Sequence, residues 1–266
     1  MPCHGSDRGL SGLITCDVDA EIPVQEGGEM KVLALIAATE VSGPCRGLFQ
    51  LIEQTKDTEA AFILGMFLLT RYRTCPSIDE AKRRGFQIEV FAQRRRYDVL
   101  LFRQASRIVR EDRVHILQSH GYKPALLAWL LRRATDLPWI AFSHGYTREN
   151  RRMTFYNRLD LLLLKRADRI VAVSDAMQRS LAKAGVPRDR IRVIYNAVDP
   201  AEYAFGRDGA GFRAQCGAGS DDLLVGVIGR LSPEKGQAIF VRAFKDVVRA
   251  VPQAKAVLVG DGPERP

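Results

Sequence analysis

Several things are scarce in this sequence of 266 residues, and each shortage excludes something. There are five cysteines, Cys3, Cys16, Cys45, Cys75 and Cys216, with no two at metal-site spacing. A disulfide scaffold is thereby excluded and a zinc site disfavoured, and the odd number suits a reducing compartment. No apolar run reaches the ~18–20 residues of a membrane-spanning helix; the longest lie at 62–69 and 125–131. The amino terminus carries Asp7, Asp17, Asp19 and Glu21 and lacks an apolar block, so it is no signal peptide. The basic clusters at 82–84, 94–96 and 151–152 are short. They are not interleaved with stacking aromatics as a single-strand nucleic-acid binder requires.

What is present is ordinary globular composition, 46% hydrophobic and 27% charged, with room for one large domain or two modest ones. Lysine plus arginine number 40 against 31 acidic residues, a formal net charge of +9. Such a surplus fits an anionic small substrate, an anionic membrane surface or nucleic acid. Because the arginines are scattered, arginine-rich composition alone also accounts for it.

Residues 1–29 have no periodicity and are expected to be a disordered leader, or to precede a true start at Met30. Beyond them, short apolar runs at 31–37, 61–66, 87–91, 114–118, 139–142, 169–173 and 192–195 read as strands. Amphipathic stretches at 47–55, 97–110, 123–133, 154–165 and 175–184 read as helices, with Ser174 and Asp175 suited to a helix N-cap. Strand–helix alternation of this kind predicts an α/β fold with a parallel sheet covered on both faces, over 30–200. A Gly-, Asp-, Ala- and Arg-rich stretch at 201–220 reads as a linker or loop. A further strand, loop, helix and strand follow at 223–228, 229–236, 237–251 and 255–259. One such βαβ unit cannot cover both faces of its strands, so 221–266 is expected to be the incomplete start of a second domain.

The strongest chemical signal is GRLSPEKG at 229–236, between a strand and a helix. A helix amino terminus attracts anions through unpaired N–H groups and a partial positive charge. Arg230 supplies a planar fork for phosphate and Lys235 a mobile point charge, while Gly229 allows close backbone approach. The pattern suits a diphosphate; the alternative is a solvated turn whose cations face water. His120 and His144 each precede a glycine after a strand, at the sheet edge where open α/β folds bind ligands. Of the two, His144 is the better functional candidate and His120 the better structural one. Asn196 and Asp199 read as turn residues. The GDG of 260–262 lacks a third glycine and a ribose-binding acid, so a dinucleotide cofactor is not expected.

The loop at 229–236, followed after one helix by VLVGDGPE at 257–264, resembles the donor-domain opening of the retaining family 4 glycosyltransferases. ADRIVAVS at 167–174, VIYNAVD at 193–199, TEVSGP at 39–44 and FSHG at 142–145 are similar to further segments of that family, in the same order. This resemblance runs from about Lys31 to the end. It implies a GT-B fold, with a Rossmann-like amino-terminal domain on the acceptor side and a second, donor-binding one. It also implies transfer of a sugar with retention from a UDP- or GDP-sugar to a glycan or lipid-linked acceptor, in the cytoplasm or at the inner face of the plasma membrane. Arg230 and Lys235 match the positions that hold the donor diphosphate, Gly43 lies on the loop bordering both substrates, and His144 matches the position near the reacting sugar. No metal and no cofactor are implied. The family's later glutamate-framed loop has no counterpart here, so the chain by itself is expected to be inactive. Arg148, Arg151 and Arg152, with Phe155 and Tyr156, are placed to touch anionic lipid, although snorkelled surface arginines explain them equally. Two other readings stand beside this one: a non-catalytic remnant that binds acceptor or a partner, and a basic nucleic-acid-binding protein.

Overall fold

The computed structural model describes residues 29–69, 75–93, 98–145, 151–198, 200 and 209–265, the side chains of 69 and 151–153 excepted. All of the leader expected at 1–29 except Glu29 therefore lies outside the described residues, as do Arg148, Asp199 and residues 201–208 of the expected linker. The chain divides into two units, Met1–Val198 and Asp199–Pro266.

In the first unit, strands β1 (Met30–Ile36), β2 (Ala60–Leu69), β3 (Gln87–Gln93), β4 (Ile116–His120), β5 (Trp139–Ser143), β6 (Arg169–Ala172) and β7 (Ile191–Val193) form one sheet. Its order is β3-β2-β1-β4-β5-β6-β7, and every pairing is parallel. Helices α1 (Gly43–Gln54), α2 (Pro76–Arg83), α3 (Leu100–Glu111), α4 (Tyr122–Thr135), α5 (Arg151–Leu164) and α6 (Asp175–Lys183) alternate with the strands, as the sequence leads one to expect of an α/β protein.

Strand periodicity divides the core in two. Leu33 and Leu35 of β1 join Ile63, Phe67, Phe91 and the buried faces of α3 and α4. Ala34 and Ile36 point the other way, to Leu64, Met66 and the buried faces of α1 and α2. The helices answer with stripes at i, i+3, i+4 and i+7: Cys45, Leu48, Phe49 and Ile52 on α1, and Pro124, Leu127, Ala128 and Leu131 on α4. Gly65 is required by packing, since a Cβ there would lie 2.6 Å from both Leu35 Cδ2 and Phe91 Cε2. Asp168 ties α4 to the sheet. Its carboxylate accepts from Arg132 Nε and Nη2 at 2.7 and 2.6 Å and from the Trp139 backbone N–H at 2.9 Å. Trp139, fully buried, donates from Nε1 to Ser119 Oγ at 2.8 Å.

Two differences from the sequence reading have clear causes. Helix α2 is absent from the expected helices: eight residues with only Ser77, Ile78 and Ala81 buried are too short to show a period. Helix α1 starts at Gly43 instead of residue 47, because extended Ser42 acts as its N-cap and Pro44 suits its first turn. The Ser174 cap is formed, its Oγ accepting from Met177 N at 3.2 Å.

The second unit contains α7 (Ala210–Gln215), which lies within the expected linker, then β8 (Leu223–Ile228), α8 (Gln237–Ala250) and β9 (Ala254–Val259). Strands β8 and β9 pair in parallel as a two-stranded sheet. Val225, Ile228, Leu258, Ile239 and Val241 all stay exposed, since two strands and one helix offer little to pack against.

Candidate functional site

The strand order of the first sheet reverses between β1 and β4. Ligands of open parallel sheets bind beyond the carboxyl ends of the strands at such a point. Ile36 of β1, His120 of β4 and Phe142 of β5 stand in register there. A cavity of about 220 Å³ opens beside them, lined by Ala38, Ser42, Pro44, Ser143, His144 and Asp160, among others. His120, Phe142 and His144 also line a neighbouring cavity of about 270 Å³, together with Leu48 and Leu51 of α1 and with Tyr195 and Asn196. The aromatic trio is thus a shared wall of both spaces.

Alternation along the strands builds this wall. Gln118 and His120 are two apart on β4 and share a face, and Phe142 and His144 are two apart along the neighbouring β5 and its exit. Gln118 Nε2 lies 2.8 Å from His120 Nε2, and His120 Nδ1 lies 2.8 Å from His144 Nε2. His120 stacks on Phe142 at 4.6 Å between centroids, and the His144 ring lies nearly coplanar with it, their centroids 5.1 Å apart. Burial, and secondarily the neighbouring His144, holds the His120 pKa well below its ordinary value; burial brings that of His144 down to about 4. Both rings are therefore neutral near pH 7. Next to them the Ser143 hydroxyl is buried and has no hydrogen-bond partner among the described residues.

Reading His120 as a purely structural residue separates two side chains that the structure joins. The available signal was the shared pattern of Gln-x-His on one strand and Phe-x-His on the next. Gly43 heads α1 between Ser42 and Pro44, both in the cavity wall, and a Cβ at Gly43 would meet nothing within 4 Å. Asn196 also comes to this region, lining the second cavity.

The second unit carries the other candidates. Gly229 follows β8, and Arg230 and Lys235 are both exposed. Pro233–Lys235 forms one turn of 3-10 helix, and α8 begins after Gly236. Glu234 sits with these cations. Its carboxylate accepts from Ser232 Oγ at 2.7 Å, and that bond, with the charges of Arg230 and Lys235, holds its pKa below the ordinary value. Gln237 Nε2 donates to the Arg230 carbonyl at 2.8 Å and so braces the loop. A second loop lies against the first: Gly229 N donates to Val259 O and Leu231 N to Asp261 O, each at 2.9 Å. Glycines are obligatory in this contact, since a Cβ at Gly260 would lie 2.0 Å from Gly229 O and one at Gly262 2.2 Å from Leu231 O. This backbone contact accounts for the GDG that superficially suggests a dinucleotide loop.

Among the described residues no three His, Cys, Asp or Glu side chains are grouped so as to hold a metal ion. The sequence's Asp-x-Asp pair, Asp17 and Asp19, lies outside them. No helix among the described residues is long and apolar enough to cross a membrane.

Comparison with known proteins follows this division of the chain. Residues 69–202 match the model of "Glycosyltransferase Family 4", and residues 211–266 match "Glycosyl transferases group 1". The D-inositol 3-phosphate glycosyltransferase of Nocardia farcinica is 35% identical over 103 residues, 38% of this chain and 23% of that protein. An uncharacterized glycosyltransferase of Methanocaldococcus jannaschii is 20% identical over 167 residues, 58% of this chain and 42% of that one. Among solved structures, Anabaena HepE in complex with UDP and glucose superposes with a TM-score of 0.72 at 23% identity, covering 88% of this chain and 61% of that one. The chain thus spans less than two thirds of the length of each of these relatives. Its α/β architecture is of the GT-B type. With the family pattern running from the end of β2 past β7, and the group 1 pattern taking over in the second unit, the chain belongs to glycosyltransferase family 4.

Proposed function

We propose that this chain is the acceptor-side domain and the diphosphate-binding part of the donor-side domain of a glycosyltransferase. The enzyme moves a sugar, with retention of configuration, from a UDP- or GDP-sugar to a glycan or lipid-linked acceptor. The observation that carries the reading is the exposed Arg230 and Lys235 on the loop between β8 and α8. Breaking a sugar–phosphate bond leaves charge on the departing nucleotide, and fixed cations placed there lower the barrier. With both cations supplied by side chains, the reading calls for no metal. Gly229 lets the backbone approach the diphosphate. HepE has been solved with UDP and with UDP-glucose, which supports a nucleotide-sugar as the ligand class.

On the acceptor side, Gly43 and His144 border the reacting sugar. A neutral His144 serves there as a hydrogen-bond partner of an oxygen and not as a cation. An acceptor with a lipid anchor would bring the enzyme to an anionic membrane face through surface arginines.

The test is an NMR titration of the ¹⁵N-labelled chain with UDP and with GDP at millimolar concentration. The amides of Gly229, Lys235 and Gly236 are expected to shift. Arg230→Ala and Lys235→Ala should each weaken binding about tenfold or more, the effect of losing one charge-assisted hydrogen bond of ~1.5–3 kcal/mol. Shifts confined to other residues, or affinities in both variants equal to that of the unmodified chain, would refute the assignment.

A further inference from the structure

The chain of contacts Gln118–His120–His144 has a direction. A carboxamide NH₂ only donates, so His120 Nε2, 2.8 Å from Gln118 Nε2, is an acceptor and carries no proton. A neutral imidazole has one N–H, and His120 therefore holds it on Nδ1 and donates it to His144 Nε2 at 2.8 Å. His144 Nε2 is in turn an acceptor, and the single proton of His144 resides on Nδ1. That nitrogen makes no hydrogen bond with any described residue, and His144 lines both cavities. Phe142 stacks on His120 at an interplanar angle of 23°, and the His120 and His144 rings are nearly coplanar at 17°, as an in-plane N–H···N bond requires. Burial keeps both rings neutral, so the argument from a single N–H holds near pH 7.

We infer that Gln118 and His120 are positioning residues that lock His144 as its Nδ1–H tautomer, a neutral donor reserved for an oxygen of the bound sugar or its phosphate. This deepens the proposed function and rests on its placing of His144 beside the reacting sugar. In this arrangement His144 is no general base: Nε2 already accepts a hydrogen bond, and Nδ1 already holds a proton. His120 touches no substrate; it acts only through His144. The arrangement parallels the orientation of metal-bound histidines by an outer hydrogen-bond partner, with the developing sugar in place of the metal.

The two readings are tested separately, because tautomers are measured without donor, acceptor or turnover. Long-range ¹H–¹⁵N correlation spectra of the histidine-labelled chain at pH 7 are expected to show His120 and His144 both neutral and both protonated on Nδ1 alone. Gln118→Leu removes the donor that sets the direction while keeping a side chain of similar size. Both histidines should then lose their single tautomer and show mixed Nδ1–H and Nε2–H signals, including His144, which the substitution does not touch. An Nε2–H signal from either ring in the unmodified protein overturns the proposal, as do unchanged tautomers in a folded Gln118→Leu variant. Should that variant not fold, the unmodified protein alone decides. Loss of UDP binding at Arg230 with these tautomers intact would sink the nucleotide-sugar reading and leave the lock standing.

Discussion

Two neutral histidines packed side by side make the first unit sensitive to mild acid. In the unfolded chain a histidine takes up its proton near 6.5, whereas folded His144 does so only at about 4, and folded His120 also lies below the ordinary value. Between those limits the unfolded state binds more protons, so stability falls as pH falls. The contribution is complete above about 6.5 and is lost progressively towards 4. Each fully titrating histidine removes about 1.4 kcal/mol per pH unit. Discounted for the partial exposure of its ring, His144 alone should lower stability by about 1–2 kcal/mol between pH 7 and pH 5, with His120 adding in the same direction. Urea unfolding at pH 7, 6 and 5, followed by tryptophan fluorescence, measures this. Trp129 and Trp139 are the chain's two tryptophans and both belong to the first unit, so the signal reports on that unit alone. The His144→Asn variant supplies the baseline for the carboxylates and should show a shallower loss. Equal losses in the variant and the unmodified protein would refute the claim that the ring is buried and neutral.

Two further predictions follow from particular contacts. Asp168→Ala removes a bidentate partner of Arg132 and leaves the buried Trp139 N–H without its acceptor, so urea unfolding should show a loss of about 2 kcal/mol. Burial pushes the Asp168 carboxyl up, but the Arg132 guanidinium and the Trp139 N–H outweigh it and hold the pKa below the ordinary value. The stabilisation it provides is present above that ordinary value and disappears as pH falls below it, so the deficit of the variant should shrink at pH 3. Gly260→Ala places a Cβ where the Gly229 carbonyl oxygen stands and forces the two loops apart. Amide exchange at Gly229 and Leu231, slow while both donate across the contact, should then become at least tenfold faster, and unchanged exchange would show that the loops do not depend on that closeness.

Much of this molecule follows from local pattern. Buried parallel strands read as short apolar runs, and all seven strands of the first sheet begin within two residues of the expected position. Helices with a four-point apolar stripe, such as α1 and α4, were legible for the same reason, whereas α2 buries only Ser77, Ile78 and Ala81 and left no period to read. The start of α1 was misplaced because a Ser-Gly-Pro cap resembles a loop until the geometry of Ser42 is known.

The motifs were visible one at a time, and their partners were not. The cations of the loop after β8 stand out in one dimension because residue type, spacing and the strand–helix junction are all local. Asp168 looked like one letter of a family segment, and only the fold shows it fastening α4 to the sheet. What amino-acid order determined by itself is the α/β alternation, the two faces of each strand and the strand–helix loop that carries Arg230 and Lys235, since these rest on periods of 2 and 3.6 and on local spacing. Tertiary structure alone decided that Gln118, His120 and His144 form one directed chain. Strand register sets which side chains from separate segments stand 2.8 Å apart, and register is a property of the assembled sheet.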